Sequence, residues 1–431
     1  MTLEKYAELA GLSSREWKEQ TKFTATDFGW LIIIIGGTIG AGIVFLPVQI
    51  GLVGIWVYIL TAAIAYPVLY MYQRLYLRVM AESSECESFA SVISEYLGEN
   101  WGFFLGILYF VFNAILLFLY STALINDSSS FLVTFGISET ELSQNIFYGL
   151  AVLCGMVLLA SQGEKLLFKV ATPMVLVKFC TIALLGLVMV QYWQFSNIGA
   201  IPYVAYLGKQ AIVILPIVTM SLAFFTNMGP VLISYRRKNK NKVVAYYQAM
   251  RVMRITFILL GVMFFFYTIS FNLAMNYEQA VEAYEANISS LAMAAKNMDG
   301  AMVKIFSLVL NIFAVMTAFF AVFLAFRDSC IGIAMNIMKR FASGESAYQT
   351  KVYYGISVFC ILICWGAVMM NAPVLSFASM LGPLMGLIGC LMPVYLVLHK
   401  QEFKQYRNWQ LCPIALIGSF LIISTFVAFL Q

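Results

Sequence analysis

The chain has 431 residues, of which 62% are hydrophobic and only 11% are charged, and its mean hydropathy is +0.86. A soluble chain of this size carries roughly 25% charged residues, so the composition excludes an ordinary soluble protein and indicates an integral membrane protein. The net charge of +5 is explained by lysines and arginines in the loops, and we expect no nucleic-acid partner.

Eleven apolar stretches are each long enough to form a membrane-spanning helix, which needs about 20 residues. Continuous apolar runs of this length exclude a β-barrel, whose strands alternate in short segments. These stretches are called spans one to eleven below, and they are residues 28–50, 54–77, 101–126, 145–161, 168–192, 211–235, 250–275, 303–326, 352–370, 374–398 and 409–430.

Lysine and arginine are distributed unevenly around these spans. Of 26 such residues, 22 fall in the first 27 residues and in regions on the same face of the membrane, 3 fall on the opposite face, and Lys178 falls inside span five. Basic residues in short loops stay in the cytoplasm. We therefore expect a multi-pass protein of the cell (inner) membrane with a cytoplasmic N-terminal tail, residues 1–27. Because the number of spans is odd, we expect the C-terminus on the outer side.

Span one carries a cluster of glycines in the stretch "IIIIGGTIGAGIVFLP". Glycine is about 1 kcal/mol worse than alanine in a helix. One interpretation is close helix packing, since Gly36 and Gly40 have the GxxxG spacing. The other is a broken helix, whose exposed N–H groups and dipole can bind a carboxylate.

Span six provides a test, because transporters built from inverted repeats have a second break at the matching position. It reads "PIVTMSLAFFTNMGPVLISYRRK", with Thr226, Asn227, Gly229 and Pro230 in its middle. Two interruptions five spans apart favour broken helices. We predict an all-α membrane protein with two inverted five-helix repeats, residues 28–192 and 193–398, followed by a loop and an eleventh helix, residues 399–431.

The sequence also resembles the hydroxy/aromatic amino acid permease family, a branch of the amino acid–polyamine–organocation superfamily. The resemblance lies in "GGTIGAGIVFLPVQIGL", "SQGEKLLFK", "FFTNMGPVLISYR", "FAVMTAFFAVFLAFRD" and "SFASMLGPLMG", and it is nearest to the serine/threonine/cysteine permeases. It implies a LeuT-type fold with broken helices one and six. It also implies import of a small polar amino acid driven by an ion gradient, usually of protons. An aromatic amino acid permease and a sodium-coupled symporter remain alternatives.

A free amino acid brings two charges into the membrane, and both must be matched there. We predict that Thr38 and the backbone of Ile39–Gly42, which includes Gly40 and Ala41, donate to the carboxylate. We predict that carbonyl groups near Phe224–Thr226 accept from the ammonium, and that Phe224 and Phe225 close over the ligand. The remaining predicted substrate-binding residues are Asn113, Tyr120, Ser121 and Asn227.

Apart from thiols and tyrosines, Lys178 is the only ionisable side chain that we expect deep in a span. Asp127 is expected at the end of span three. The bland interpretation is a lysine that ties neighbouring carbonyl groups together. The resemblance implies a second one, in which span five lies beside the break in span one and beside Thr317 of span eight, where sodium-driven relatives hold an ion. We therefore predict Lys178 and Thr317 as ion-coupling residues.

Other function classes find little support in the sequence. An enzyme would need a cluster of acids, bases or metal ligands, whereas the one histidine, His399, lies in a loop and the eight cysteines are scattered. A channel would need rings of polar groups. We expect no cofactor, no metal and a monomer. Residues 276–295 predict an amphipathic stretch that acts as an outer lid in LeuT-type folds or is a plain surface helix, and Asn287 lies in a glycosylation sequon, "NIS".

Overall fold

The computed structural model describes residues 3–84, 89–161, 164–239, 241–341, 349–371 and 373–430, and this part of the chain is helical without any β-strand. The α-helices of these residues, in chain order, are α1 (Leu3–Leu9), α2 (Ser14–Gln20), α3 (Ala25–Thr38), α4 (Ala41–Val53), α5 (Ile55–Glu82), α6 (Phe89–Leu97), α7 (Glu99–Thr134), α8 (Ile146–Ser161), α9 (Glu164–Val188), α10 (Val204–Leu222), α11 (Phe225–Lys238), α12 (Lys242–Ala274), α13 (Tyr277–Glu285), α14 (Ser290–Asn297), α15 (Ala301–Phe341), α16 (Gln349–Met369), α17 (Val374–Met385), α18 (Met392–His399) and α19 (Leu411–Phe429). A π-helical turn, Gly386–Leu391, joins α17 to α18, and 3₁₀ turns lie at Met189–Tyr192, Phe195–Ile198 and Gln401–Tyr406.

The eleven predicted spans each coincide with helical structure. Within the described residues, eight helical segments are long and apolar enough to cross a membrane, α10–α11 and α17–α18 each counting as one, and the bent pair α3–α4 makes a ninth. Two shorter apolar helices, Ile146–Ala160 and Gly355–Met369, lie where spans four and nine are predicted. The chain is therefore a multi-pass membrane protein, and its all-helical fold class is confirmed.

Span one is broken at its glycines. Helix α3 ends at Thr38, Ile39 and Gly40 are extended, and α4 begins at Ala41, with a bend of 44° between the two halves. The glycines also allow close packing. A Cβ atom added to Gly36 would lie 2.2 Å from a methyl of Val175, and one added to Gly42 would lie 3.0 Å from the Cα of Ser221. Both interpretations of the glycine cluster therefore hold at once.

Span six is broken at the matching position. Helix α10 ends at Leu222, Ala223 is extended, and α11 begins at Phe225. Pro230, which prompted the prediction, lies inside α11 rather than at the break. A proline has no N–H to donate to the carbonyl four residues earlier, here that of Thr226, so its effect reaches the first turn of α11. The two breaks come together because α4 packs against α10.

Helices α1 and α2 pack against the membrane helices. Tyr6 of α1 and Trp17 of α2 are buried, and both rings contact the ring of Tyr247 in α12, at centroid distances of 5.4 and 5.0 Å. We call the face of the membrane that carries these residues the tail face. The N-terminal tail is therefore packed onto the helix bundle at the tail face.

The predicted amphipathic stretch at residues 276–295 forms two helices, α13 and α14, rather than one. The two are separated by a turn in which Asn287 has a positive φ of 55°. The side chain of Asn287 is buried and accepts a hydrogen bond from the backbone N–H of Val374 at 2.8 Å. The side chain of the sequon residue Asn287 is therefore not available for glycosylation in this structure.

Candidate functional site

A cavity of about 360 Å³ lies where the two broken helices meet, and it is walled by spans one, three, six, eight and ten. This volume falls within the range of small-molecule sites, roughly 300–1,000 Å³. Four predicted residues of spans one and three line the cavity: Thr38, Gly42, Asn113 and Tyr120. Four more come from spans six and eight: Phe225, Thr226, Asn227 and Thr317.

The cavity extends from the breaks toward the tail face. Tyr109 lies ten residues into α7, which starts near that face at Glu99, and it lines the cavity. Ala325 on α15 lines it too, two residues before Arg327. The cavity therefore extends from the two breaks toward the tail face.

The opposite side is covered by α13 and α14, which we call the lid helices. Ser290 Oγ donates to the carbonyl of Val44 in α4 at 2.6 Å, and the N–H of Ser289 donates to Asp127 Oδ1 in α7 at 2.8 Å. Asn126 Nδ2 donates to the carbonyl of Asn287 at 3.1 Å. The lid helices are thus attached to spans one and three on the side away from the tail.

In span one, the available donors are the backbone N–H groups at the start of α4. The hydroxyl of Thr38 donates to the carbonyl of Ile34 at 2.7 Å, and the N–H of Ile39 donates to Ile35. These two predicted carboxylate donors are therefore already used. The N–H groups of Ala41 and Gly42 have no partner within their own helix, whereas those of Ile43 and Val44 donate to the carbonyl of Gly40 at 3.0 and 3.3 Å. Gly42 brings this backbone to the cavity wall.

In span six, helix direction corrects the prediction for the ammonium. Phe225–Asn227 begin α11, so this turn presents N–H groups, and the carbonyl of Phe224 accepts from the N–H of Asn227 at 3.0 Å. Carbonyl groups without a partner in their own helix lie in the last turn of α10 and also at Thr226, whose usual donor would be the N–H that Pro230 lacks. Met220 and Ala223, at the end of α10, both line the cavity. Of the predicted acceptors, the carbonyl of Phe224 is taken and that of Thr226 lacks its helical donor, while the carbonyl groups at the end of α10 lie one turn before the predicted stretch.

Several predicted residues lie away from the cavity wall. Ile39 and Phe224 are buried, and Phe224 packs its ring against Phe257. Ser121 is fully buried and donates to the carbonyl of Leu117 at 2.7 Å. Gly40 stands behind the lining, where an added Cβ would lie 2.4 Å from the hydroxyl of Tyr120. Of the two phenylalanines expected to close over the ligand, only Phe225 lines the cavity.

Lys178 is fully buried and points into the break of span one. Its Nζ donates to the carbonyl oxygens of Gly36 and Ile39 at 2.8 and 3.1 Å, and to the hydroxyl of Thr317 in α15 at 2.8 Å. Thr317 can accept because its own proton is donated to the carbonyl of Phe313. The ammonium therefore links spans one, five and eight through three neutral oxygens.

Gln73 in α5 is a site residue that sequence reasoning missed. Its amide is fully buried, donates to the carbonyl of Leu222 at 3.4 Å and accepts from the N–H of Phe224 at 3.0 Å. The side chain therefore replaces the backbone hydrogen bonds lost at the break in span six. A glutamine inside an apolar span was the available signal, since polar groups in membranes are costly and find partners.

The predicted position of Asp127, at the end of span three, is wrong. Helix α7 continues to Thr134, so Asp127 lies inside the helix rather than at its end, and it is fully buried. Besides Ser289, it accepts a hydrogen bond from Asn311 Nδ2 of α15. Lys178 is therefore not the only ionisable group buried within the helices. In the described part of the chain, no group of three or more His, Cys, Asp or Glu side chains is arranged to hold a metal ion.

Comparison with known proteins gives consistent matches along the chain. The model of the tryptophan/tyrosine permease family matches residues 24–431. A serine transporter of Escherichia coli O157:H7 is 49% identical over 423 residues, which cover 97% of this chain and 96% of that protein. Serine transporter SdaC of Escherichia coli K12 is 23% identical over 389 residues, covering 89% of this chain and 90% of that protein.

Among solved structures, MhsT in complex with L-phenylalanine is similar to this chain with a TM-score of 0.58. The similarity covers 93% of this chain and 97% of MhsT, at 10% sequence identity. At this identity the likeness concerns the fold alone. It confirms the LeuT-type fold that the family resemblance implies.

Proposed function

Because the chain belongs to the tryptophan/tyrosine permease family, we propose that it is a secondary transporter that imports serine by alternating access, with the proton as the coupling ion. Membership confirms the resemblance to hydroxy/aromatic amino acid permeases. The observation that carries the choice of serine is the 49% identity, over nearly the whole of both chains, to a protein named serine transporter. Threonine and cysteine belong to the same class of small polar substrates.

The breaks support recognition of a free amino acid by complementary helix ends. The start of α4 presents N–H groups and the positive end of a helix dipole, which suit the carboxylate. The end of α10 presents carbonyl groups, which suit the ammonium. These two helix ends lie close together: a Cβ atom added to Gly42 would lie only 3.0 Å from the Cα of Ser221. Both charges of one small zwitterion can therefore be matched within a single cavity.

The side-chain wall of the cavity suits a hydroxyl group. Asn113 of span three and Thr226 and Asn227 of span six line it. These residues offer both donors and acceptors to a substrate oxygen. The volume of the cavity does not by itself exclude an aromatic amino acid, and Phe224 does not narrow it. Selectivity for serine over tryptophan therefore rests on polar matching rather than on size.

The Lys178 ammonium supports proton coupling. Three neutral oxygens surround its Nζ in an arrangement that a bound cation would also take. A fixed ammonium at this position competes with a sodium ion for the same oxygens. Loss of its proton would leave two N–H groups for three oxygens and would remove the positive charge, which weakens the hold of Lys178 on the carbonyl groups of Gly36 and Ile39. Proton transfer at Lys178 would therefore change how α3 is held by α9 and α15.

The distribution of basic residues supports the orientation. With the tail face in the cytoplasm, the cavity extends inward and the lid helices cover the outer side. This is the arrangement of an inward-facing state with the outer path closed. We place the protein in the cell (inner) membrane with its N-terminus inside and its C-terminus outside, and as a monomer.

The decisive experiment is uptake of labelled serine by the purified protein in liposomes. A pH gradient (acid outside) and a sodium gradient are imposed separately at zero membrane potential. We expect accumulation with the pH gradient alone, competition by threonine or cysteine, and little competition by tryptophan. Accumulation driven only by a sodium gradient would refute proton coupling. Tight tryptophan transport without competition by serine would refute serine as the substrate.

A further inference from the structure

A second cavity, of about 530 Å³, lies at the tail face and shares no residue with the substrate cavity. We call it the tail-face pocket. It is formed by α1, the last turn of α5, the first turn of α12 and residues 405–408 of the link between spans ten and eleven. Four separate parts of the chain therefore meet around one space outside the transport path.

The walls of the tail-face pocket carry an excess of positive charge. Lys5, Arg78 and Lys242 are its cations, and Glu82 is its one carboxylate. Glu82 is already engaged, because its carboxylate accepts a hydrogen bond from the hydroxyl of Tyr406. Like charges that share a partly enclosed space repel each other. An anion in the pocket would relieve this repulsion.

Arg78 is held in a fixed orientation for such an anion. Its Nε donates to the hydroxyl of Tyr246 at 3.0 Å, and its guanidinium lies 5.1 Å from the centre of the Tyr406 ring. Within the described residues, its two terminal nitrogens donate no hydrogen bond. A pre-oriented guanidinium fork matches the oxygens of a phosphate or carboxylate.

The remaining contacts indicate the kind of anion. Lys242 Nζ donates to the backbone carbonyl of Glu82 at 3.1 Å and retains two further protons, and Lys5 approaches from α1. Three cations around one space suit a group with more than one charge and several acceptor oxygens. The pocket is much larger than an inorganic ion, and Leu9 and Val243 give it an apolar wall. An organic molecule that bears a phosphate fits this combination.

We propose that the tail-face pocket binds a phosphate-bearing anion, with the phosphate held by Lys5, Arg78 and Lys242. The source is an anionic lipid headgroup or a soluble organic phosphate, which share this chemistry. Binding connects the N-terminal helix and the ends of spans two and seven to the link before span eleven. It therefore restrains the tail-face ends of these elements relative to each other.

The test measures the unfolding temperature of the full-length protein in an uncharged detergent by tryptophan fluorescence. The soluble probes are inorganic phosphate and glycerol 3-phosphate, and the lipid probe is dihexanoyl phosphatidylglycerol, with dihexanoyl phosphatidylcholine as the zwitterionic control. Ionic strength is held constant with chloride, because exposed charges are screened by salt. The variants are Lys5→Gln, Lys242→Gln and Arg78→Gln, and the matched control is Arg237→Gln, an exposed arginine of the same face outside the pocket.

We expect saturable stabilisation by a phosphate probe that exceeds the effect of phosphatidylcholine. The apparent dissociation constant should rise about tenfold or more in each pocket variant and stay unchanged in Arg237→Gln. Saturation by a soluble probe identifies a soluble ligand, and saturation by phosphatidylglycerol alone identifies a lipid headgroup. The proposal is overturned if no probe gives saturable stabilisation, or if Lys5→Gln and Lys242→Gln bind as tightly as Arg237→Gln. These two exposed lysines keep the test valid even if Arg78→Gln does not fold.

Discussion

Gln73 and Phe224 are joined across 151 positions of sequence by a 3.0 Å hydrogen bond from the Phe224 N–H to the Gln73 side-chain oxygen. The amide nitrogen of the same side chain donates to Leu222, on the other side of the break. Span two therefore satisfies both ends of the interruption in span six. In lipid an unsatisfied backbone group costs several kcal/mol, so a broken helix needs such a partner.

Gln73→Leu should reduce serine binding and uptake by about tenfold or more. Leucine fills a similar space but leaves one donor and one acceptor unpaired, at about 1–3 kcal/mol each. The break would then relax toward a continuous helix or admit water. Binding is measured by scintillation proximity and stability by thermal unfolding.

The control for this change is Gln49→Leu, a glutamine of α4 outside the substrate cavity. It should keep normal binding. Wild-type affinity in Gln73→Leu would show that the break is held without the Gln73 amide.

Gly42→Ala should impair transport more than a comparable change elsewhere in the membrane. The new methyl would lie 3.0 Å from the Cα and 3.1 Å from the backbone nitrogen of Ser221, and backbone atoms cannot move aside as a flexible side chain can. The half-helices of spans one and six would be pushed apart at the proposed carboxylate and ammonium sites. We expect at least a tenfold loss of serine affinity in a protein that still inserts and purifies normally.

Gly106→Ala is the matched control, because no atom lies within 4 Å of the added Cβ there. It should bind serine as the wild type does. Equal affinities for Gly42→Ala and Gly106→Ala would remove the close contact of the two breaks from the binding mechanism.

The fold was predictable from local properties, and the site only in part. The lengths of apolar segments and the two polar or glycine-rich interruptions lie within single helices, so the sequence reveals them directly. The partners of Gln73 and Asp127 come from distant spans, and no periodicity encodes them. Which carbonyl groups the break in span six leaves unpaired depends on whether a residue lies before or after the end of α10, and the sequence does not show that end. Phe224 and Phe225 illustrate the same limit, since adjacent residues at a break point in different directions.

The lid helices should loosen when Asn287 is changed. Its side chain accepts from the N–H of Val374, and its own backbone has a positive φ of 55°. Asn287→Ala removes the acceptor and also places alanine in a disfavoured backbone conformation. We expect the free energy of local opening of the lid helices to fall by about 1–3 kcal/mol, which is seen as faster amide hydrogen exchange in residues 276–297.

Asn287→Gly separates the two causes, because glycine tolerates the positive φ but provides no acceptor. It should show most of the increase in exchange if the hydrogen bond holds the lid. Exchange like that of the wild type in Asn287→Gly, with faster exchange in Asn287→Ala, would assign the effect to backbone strain alone.

Lys178→Met should abolish accumulation of serine driven by a pH gradient while exchange of serine across the membrane persists in part. Methionine keeps much of the length and the apolar stem of lysine but carries no proton. The carbonyl groups of Gly36 and Ile39 and the hydroxyl of Thr317 would lose their common donor. Some loss of stability is expected with this change, so exchange is measured on the same proteoliposomes as accumulation.

The control is Lys209→Met, which changes an exposed lysine near the start of α10. This variant should accumulate serine normally. A lysine that only ties helices together would lower accumulation and exchange in equal proportion. Accumulation at the wild-type level in Lys178→Met would exclude this ammonium from the coupling step, and a new dependence on sodium in the variant would indicate that a sodium ion takes the place of the Lys178 ammonium.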